Sequence, residues 1–190
     1  STCRQELQEK YRWIEYHKWK LKARTFTALS GNNKCFVLMT RVEMGILGSY
    51  NNHKRSPFET YYMGGDGMSG YSSTYATETI GLRGYDNGSL TPNGYPGYAY
   101  NRFTVELRYP FMLGASTNNY GLAIAEGGNA WDNVKKFNPF DLKRSVGAGV
   151  RIFLPMVGLL GIDWAYGFDK VFGNHSYSGR HFNFILGQEF

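Results

Sequence analysis

The amino-acid sequence predicts an all-β chain folded as an antiparallel transmembrane β-barrel. Three observations lead there. Apolar and polar residues alternate along about seven segments of roughly ten residues, the length of a tilted membrane-spanning strand. The composition is rich in Gly (24), Tyr (15) and Phe (13) and only 19% charged, which suits strands and tight turns better than a helical bundle. The connections between segments alternate between short and long, as the two ends of an outer-membrane barrel do.

The first segment, Lys18-Trp19-Lys20-Leu21-Lys22-Ala23-Arg24, is basic at every even position and apolar at every odd one. A helix would smear that charge over all faces, whereas a strand separates it onto one. Residues 36–50 place Phe36, Leu38, Val42, Met44 and Ile46 on one face and Arg41 and Glu43 on the other. Residues 102–109 repeat the alternation. Residues 119–130 are ambiguous, because Glu126 shares parity with Tyr120, Leu122 and Ile124; a β-bulge would reconcile the pattern, but the sequence does not show one. Val146, Ala148, Val150, Ile152 and Leu154 oppose Ser145, Gly147, Gly149, Arg151 and Phe153; Leu160, Ile162, Trp164 and Tyr166 oppose Gly161, Asp163, Ala165 and Gly167. The last segment sets Phe182, Phe184, Leu186 and Phe190 against Asn183, Gly187 and Glu189. Residues 57–99, 127–143 and 170–180 are the long connections. Aromatic residues gather toward segment ends, at Tyr109 and Phe111 and at Trp164 and Tyr166, as interfacial girdles require.

Several function classes fall away. The formal charge of +6 resides largely at alternating strand positions, so a charged barrel wall accounts for it better than a nucleic-acid surface. Basic residues near the rim suit anionic lipid head groups. Cys3 and Cys35 lack ligand spacing and are expected to be unpaired thiols. The four histidines are scattered, no pair has metal spacing, and Gly64-Gly65-Asp66-Gly67 lacks the Lys of a phosphate loop. No catalytic residue, metal, cofactor or enzyme activity is expected. The chain starts at Ser1-Thr2-Cys3 without an initiator Met and is expected to be a piece of a longer protein.

The longest connection carries Ile80-Gly81-Leu82-Arg83-Gly84-Tyr85, preceded by an aromatic and double-glycine stretch that includes Tyr61-Tyr62-Met63-Gly64-Gly65. This resembles the aliphatic-Arg-Gly-aromatic motif of the BamA superfamily, borne on a loop that folds back into the lumen. Val105-Glu106-Leu107-Arg108-Tyr109-Pro110, Glu126-Gly127-Gly128-Asn129-Ala130-Trp131 and the aromatic end at Phe190 fit the same family layout. An inserted stretch at residues 66–79 departs from it.

The resemblance implies that residues 1–190 are the C-terminal part of a larger, roughly sixteen-stranded barrel in the bacterial cell outer membrane, with residues 57–99 a lumen-inserted extracellular loop. Periplasmic repeat domains and the first strands would lie outside this sequence. It implies that Arg83 pairs with Glu106 and Glu126 on the lumen wall, within a loop motif of Leu82, Arg83, Gly84 and Tyr85. An isolated charge there would be costly, so an arginine fork needs such carboxylates. It also implies a lateral seam on the last strand, with Phe182, Phe184, Phe190 and a bend at Gly187. The implied role is assembly of outer-membrane barrels. Its partners would be unfolded barrel clients, accessory lipoproteins and outer-membrane lipid including lipopolysaccharide, with no nucleic acid. A polypeptide-secretion transporter of the same superfamily and a soluble sugar-binding β-sandwich are the alternatives.

Overall fold

Alternating segments become long strands because each separates a polar from an apolar face. A computed structural model of the protein describes residues 15–29, 36–50, 56, 59–65, 78–91, 97–113, 118–154, 158–171 and 177–186. The described strands are β1 (Tyr16–Ala28), β2 (Val37–Ser49), β3 (Tyr61–Met63), β4 (Glu78–Ile80), β5 (Ala99–Leu113), β6 (Asn118–Trp131), β7 (Lys143–Leu154), β8 (Gly158–Lys170) and β9 (Tyr177–Leu186). Seven of them form one antiparallel sheet in the order β1-β2-β5-β6-β7-β8-β9, so each long strand pairs with its neighbour in the chain. The outermost strands β1 and β9 each carry one edge without a partner among the described residues.

The sheet has two chemically different faces. The outer face carries Val105, Val146, Val150, Ile162, Trp164, Phe182 and Phe184, with Ile162 52% and Phe184 69% exposed. No second layer covers these side chains among the described residues, which removes the core that a soluble sandwich would need. The inner face carries Arg41, Glu43, Thr104, Glu106, Glu126, Ser145, Arg151, Asp163 and Asn183, all buried. Polar residues are thus inside and apolar residues outside, the arrangement lipid imposes.

What buries the inner face is the long connection between β2 and β5. Its short strands β3 and β4 pair in parallel. Tyr61, Met63, Ile80, Leu82, Tyr85 and Leu90 of this connection pack into one apolar cluster with Leu47, Tyr100 and Ala130 of the wall. The loop therefore brings its own core to the sheet and docks as a folded element.

No bulge in β6 is needed to reconcile the ambiguous pattern of residues 119–130. β6 keeps continuous register with β7, from Asn119 opposite Ile152 to Gly128 opposite Lys143. The register shift lies in β5 instead, between Pro110 and Met112, where proline cannot donate to the ladder. Leu122 and Ile124 accordingly point inward with Glu126 and are buried there, opposite Arg108 and Glu106. Small residues, Ala123 and Ala125, take the outer face, where both are exposed.

Candidate functional site

The turn after β4 presents one arginine to three strands at once. The Arg83 Nη1 donates to Glu106 Oε1 on β5 at 3.0 Å, and its Nε lies 3.1 Å from Asp163 Oδ2 on β8. Glu126 on β6 receives the Arg83 backbone N–H at 2.9 Å through Oε2, while its Oε1 stands 3.9 Å from Nη1. Thr104 Oγ1 also donates to Glu126 Oε1 at 3.2 Å. Burial alone would disfavour the Arg83 cation, but Glu126, Glu106 and Asp163 outweigh it and hold the guanidinium more firmly charged than usual.

Two further arginines complete the charge balance. Arg108 holds Glu106 Oε2 through Nε at 3.0 Å and Nη2 at 2.7 Å. Arg151, fully buried, pairs with Asp163 through both terminal nitrogens, one of them at 2.8 Å. Arg83, Arg108 and Arg151 thus face Glu106, Glu126 and Asp163, three cations against three anions. Such a network is tolerable in a buried place because each charge meets an opposite one with hydrogen bonds.

Glycines make the room. Arg151 lies opposite Gly161, and Asp163 opposite Gly149, so the two charged side chains meet diagonally across the β7 and β8 pair. A Cβ on Gly149 would sit 1.9 Å from Asp163 Oδ1, and one on Gly161 would sit 2.8 Å from Arg151 Nη1. Beside Arg83, Gly84 takes φ +86°, the left-handed region open to glycine, and its carbonyl lies 2.3 Å from where a Cβ on Gly167 would be. Loop backbone and wall backbone therefore touch with no side chain between them.

The rest of the motif anchors the tip. Leu82 and Tyr85 are buried. The Tyr85 hydroxyl donates to the Arg144 carbonyl at 2.6 Å and accepts from the Asp169 N–H at 3.4 Å. Burial pushes that phenol up to about 12, so it stays a donor at any ordinary pH. Asp86 Oδ1 stands 3.5 Å from His181 Nδ1, linking the tip to β9. Toward the β1 side of the sheet, Arg102 donates to the Gly81 carbonyl and to Glu43, each at 2.7 Å. Lys18 pairs with Glu59, and Lys20 with Glu78.

Of the residues singled out from sequence, Leu82, Arg83, Gly84, Tyr85, Glu106 and Glu126 come together. Phe182 and Phe184 lie apart from them, exposed on the outer face of β9. Gly187 and Phe190 lie outside the described residues. Asp163 and Arg151, read from sequence only as lining polarity, are full members of the network. What the sequence shows of them is one charged residue among glycines on the polar side of each of two adjacent strands; their pairing appears only with the register.

The model of the Omp85 superfamily domain matches residues 2–190. The chain belongs to the Omp85 superfamily. The "Outer membrane protein assembly factor BamA" of Neisseria meningitidis serogroup B is 30% identical over 111 residues, covering 53% of this chain and 12% of that protein. Among solved structures, the crystal structure of BamA from Haemophilus ducreyi lacking POTRA domains 1-3 superposes with a TM-score of 0.58 at 20% identity, over 90% of this chain and 34% of that one. This Omp85 chain is thus part of an antiparallel β-barrel of the bacterial outer membrane. Its inner face lines the lumen, and the Arg83 network joins a lumen loop to the wall.

Proposed function

We propose that the protein to which this chain belongs is an outer-membrane assembly factor that folds and inserts other β-barrel proteins. The observation that carries this reading is the likeness to the Neisseria meningitidis protein, whose name states that role. The chain spans 12% of that relative, so the activity belongs to a larger molecule. The physical basis is the edge of β9, which has no partner strand among the described residues. A strand edge with bare N–H and C=O groups is a template for another strand, and lipid offers those groups no alternative partner. Client strands would add at this lateral seam, with Gly187 giving the bend and Phe182, Phe184 and Phe190 facing lipid. The docked loop would keep the lumen wall in shape while the seam opens. Unfolded barrel clients and accessory lipoproteins are the partners this reading requires, and it assigns the chain no covalent chemistry.

Depletion of the full-length protein from cells, with a census of outer-membrane barrels, tests it. The expected result is a general loss of folded barrels from the membrane. Loss of one exported polypeptide with barrel levels unchanged would instead favour a secretion transporter of the same superfamily.

A further inference from the structure

The connection between β6 and β7 does not rise freely from the rim. By parity, Asn101 on β5 and Asn129 on β6 belong to the outer face, in register with each other and in line with Phe103, Val105, Ala125 and Gly127. Amides there would face hydrocarbon, yet both are buried. Their cover is this connection, which folds back over the outside of the wall. Asn101 Nδ2 donates to the Pro139 carbonyl at 3.0 Å, and Asn129 Nδ2 donates to the Asp141 carbonyl at 3.1 Å and to its Oδ2 at 3.3 Å. Trp131, also an outer-face position, packs edge-on against Phe137 at 4.8 Å, and Leu142 covers Gly127. The segment is thus pinned to the lipid-facing surface at the end of the sheet where the long connections gather, the external end of such a barrel.

The pinned segment leaves one large apolar side chain uncovered. Phe140 is 89% exposed, between Pro139 and Asp141, both of whose carbonyls are tied to the wall. Around it, residues 132–144 carry Lys135, Lys136, Lys143 and Arg144 against Asp132 and Asp141; Arg144 is held by Asp169 of β8, and Lys136 lies 3.4 Å from Asp132 at the surface. Lys135 and Lys136 are exposed. β6 stands fourth of seven strands in the sheet, so further strands joined at β1 or β9 would be separated from it by three strands.

We infer that residues 137–142 form an interfacial foot: Phe140 enters the outer leaflet at the boundary between head groups and acyl chains, and Lys135 and Lys136 meet the phosphates of the surrounding lipid. An aromatic ring beside cationic side chains at the end of transmembrane strands has the chemistry of that boundary. The foot rests on the barrel's place in the membrane and is independent of the assembly role.

The test is a nitroxide at Phe140→Cys in the full-length protein with its native cysteines replaced. The protein is placed in vesicles of phosphatidylcholine with and without phosphatidylglycerol. The expected result is a label that collides more with oxygen than with a water-soluble nickel chelate. It should move toward water when Lys135→Glu and Lys136→Glu are added, and more so in the anionic vesicles. A label as open to nickel as one in bulk water would overturn the inference. So would a label shielded from both reagents, which would mean that protein covers the site, or a depth indifferent to the lysine changes. Barrel assembly in cells is scored separately, so failure here leaves the assembly reading standing.

Discussion

Two stretches of the same lumen wall treat charge in opposite ways. On β5, β6, β7 and β8 every buried charge of the Arg83 network meets an opposite one, with the loop supplying one cation of six groups. On β1 and β2, Arg24 stands directly opposite Arg41 in the register, a like-charge pairing that sheets ordinarily avoid. Arg41 is buried with its Nε unpartnered, and Lys22, Arg24 and Arg41 have no carboxylate at ion-pair distance among the described residues. The first stretch is complete with its loop. The second is a basic wall relieved, among the described residues, by the Glu43 carboxylate shared with Arg102, by the more distant Glu106, and by the tethers from Lys18 and Lys20 to the loop. A charged wall therefore stabilises this barrel only where the loop and the opposing strands were built to answer it.

The sharpest way to break the contrast is Arg83→Glu, which turns three cations against three anions into two against four. A loss of about 3–5 kcal/mol in loop docking is expected, because uncompensated buried charge is left on the wall. Protease cleavage within residues 78–91 of the full-length protein would report it. Next comes a matched pair, Arg151→Met and Arg41→Met. The first takes from Asp163 one of its two arginines, leaving two cations against three anions, and should cost about 3 kcal/mol in urea unfolding, while the second should stay within about 1 kcal/mol. Equal losses would erase the difference between the two walls. Gly167→Val drives a side chain into the Gly84 carbonyl and should loosen the tip by about 1–3 kcal/mol, seen as faster cleavage of the same loop. The smallest effect concerns pH. Burial raises the Glu78 carboxyl, but Lys20 and Lys18 outweigh it, so the group lies below its ordinary value. Its contribution is present in full above the ordinary carboxylate range and is lost as pH falls through the lowered value. Acidification below about 4 should therefore slacken this tether while leaving it intact at neutral pH.

Much of the sheet was legible from alternation alone, because β1, β2, β5, β7, β8 and β9 keep opposite chemistry at successive positions. β6 was not, since its outward positions are alanines and its inward ones include Leu122 and Ile124. Hydropathy marks that strand backwards, and the irregularity it suggested belongs to β5 at Pro110. β3 and β4 span three residues each, too few for any period to show. At the site, the motif made Arg83 visible, but the diagonal pairing of Arg151 with Asp163 depends on the register of β7 and β8, which no single strand reveals. The folded-back connection was invisible for the same reason. Asn101 and Asn129 look like strand polarity until the covering turn is seen.

Hydrogen exchange across residues 78–91 in the full-length protein, embedded in a bilayer, addresses the lock most directly. Comparing the parent with Arg83→Ala, slow exchange in the parent and a rise of about a hundredfold or more in the variant is the predicted outcome. Equal rates in the two proteins would mean that the carboxylates of β5, β6 and β8 do not hold the loop.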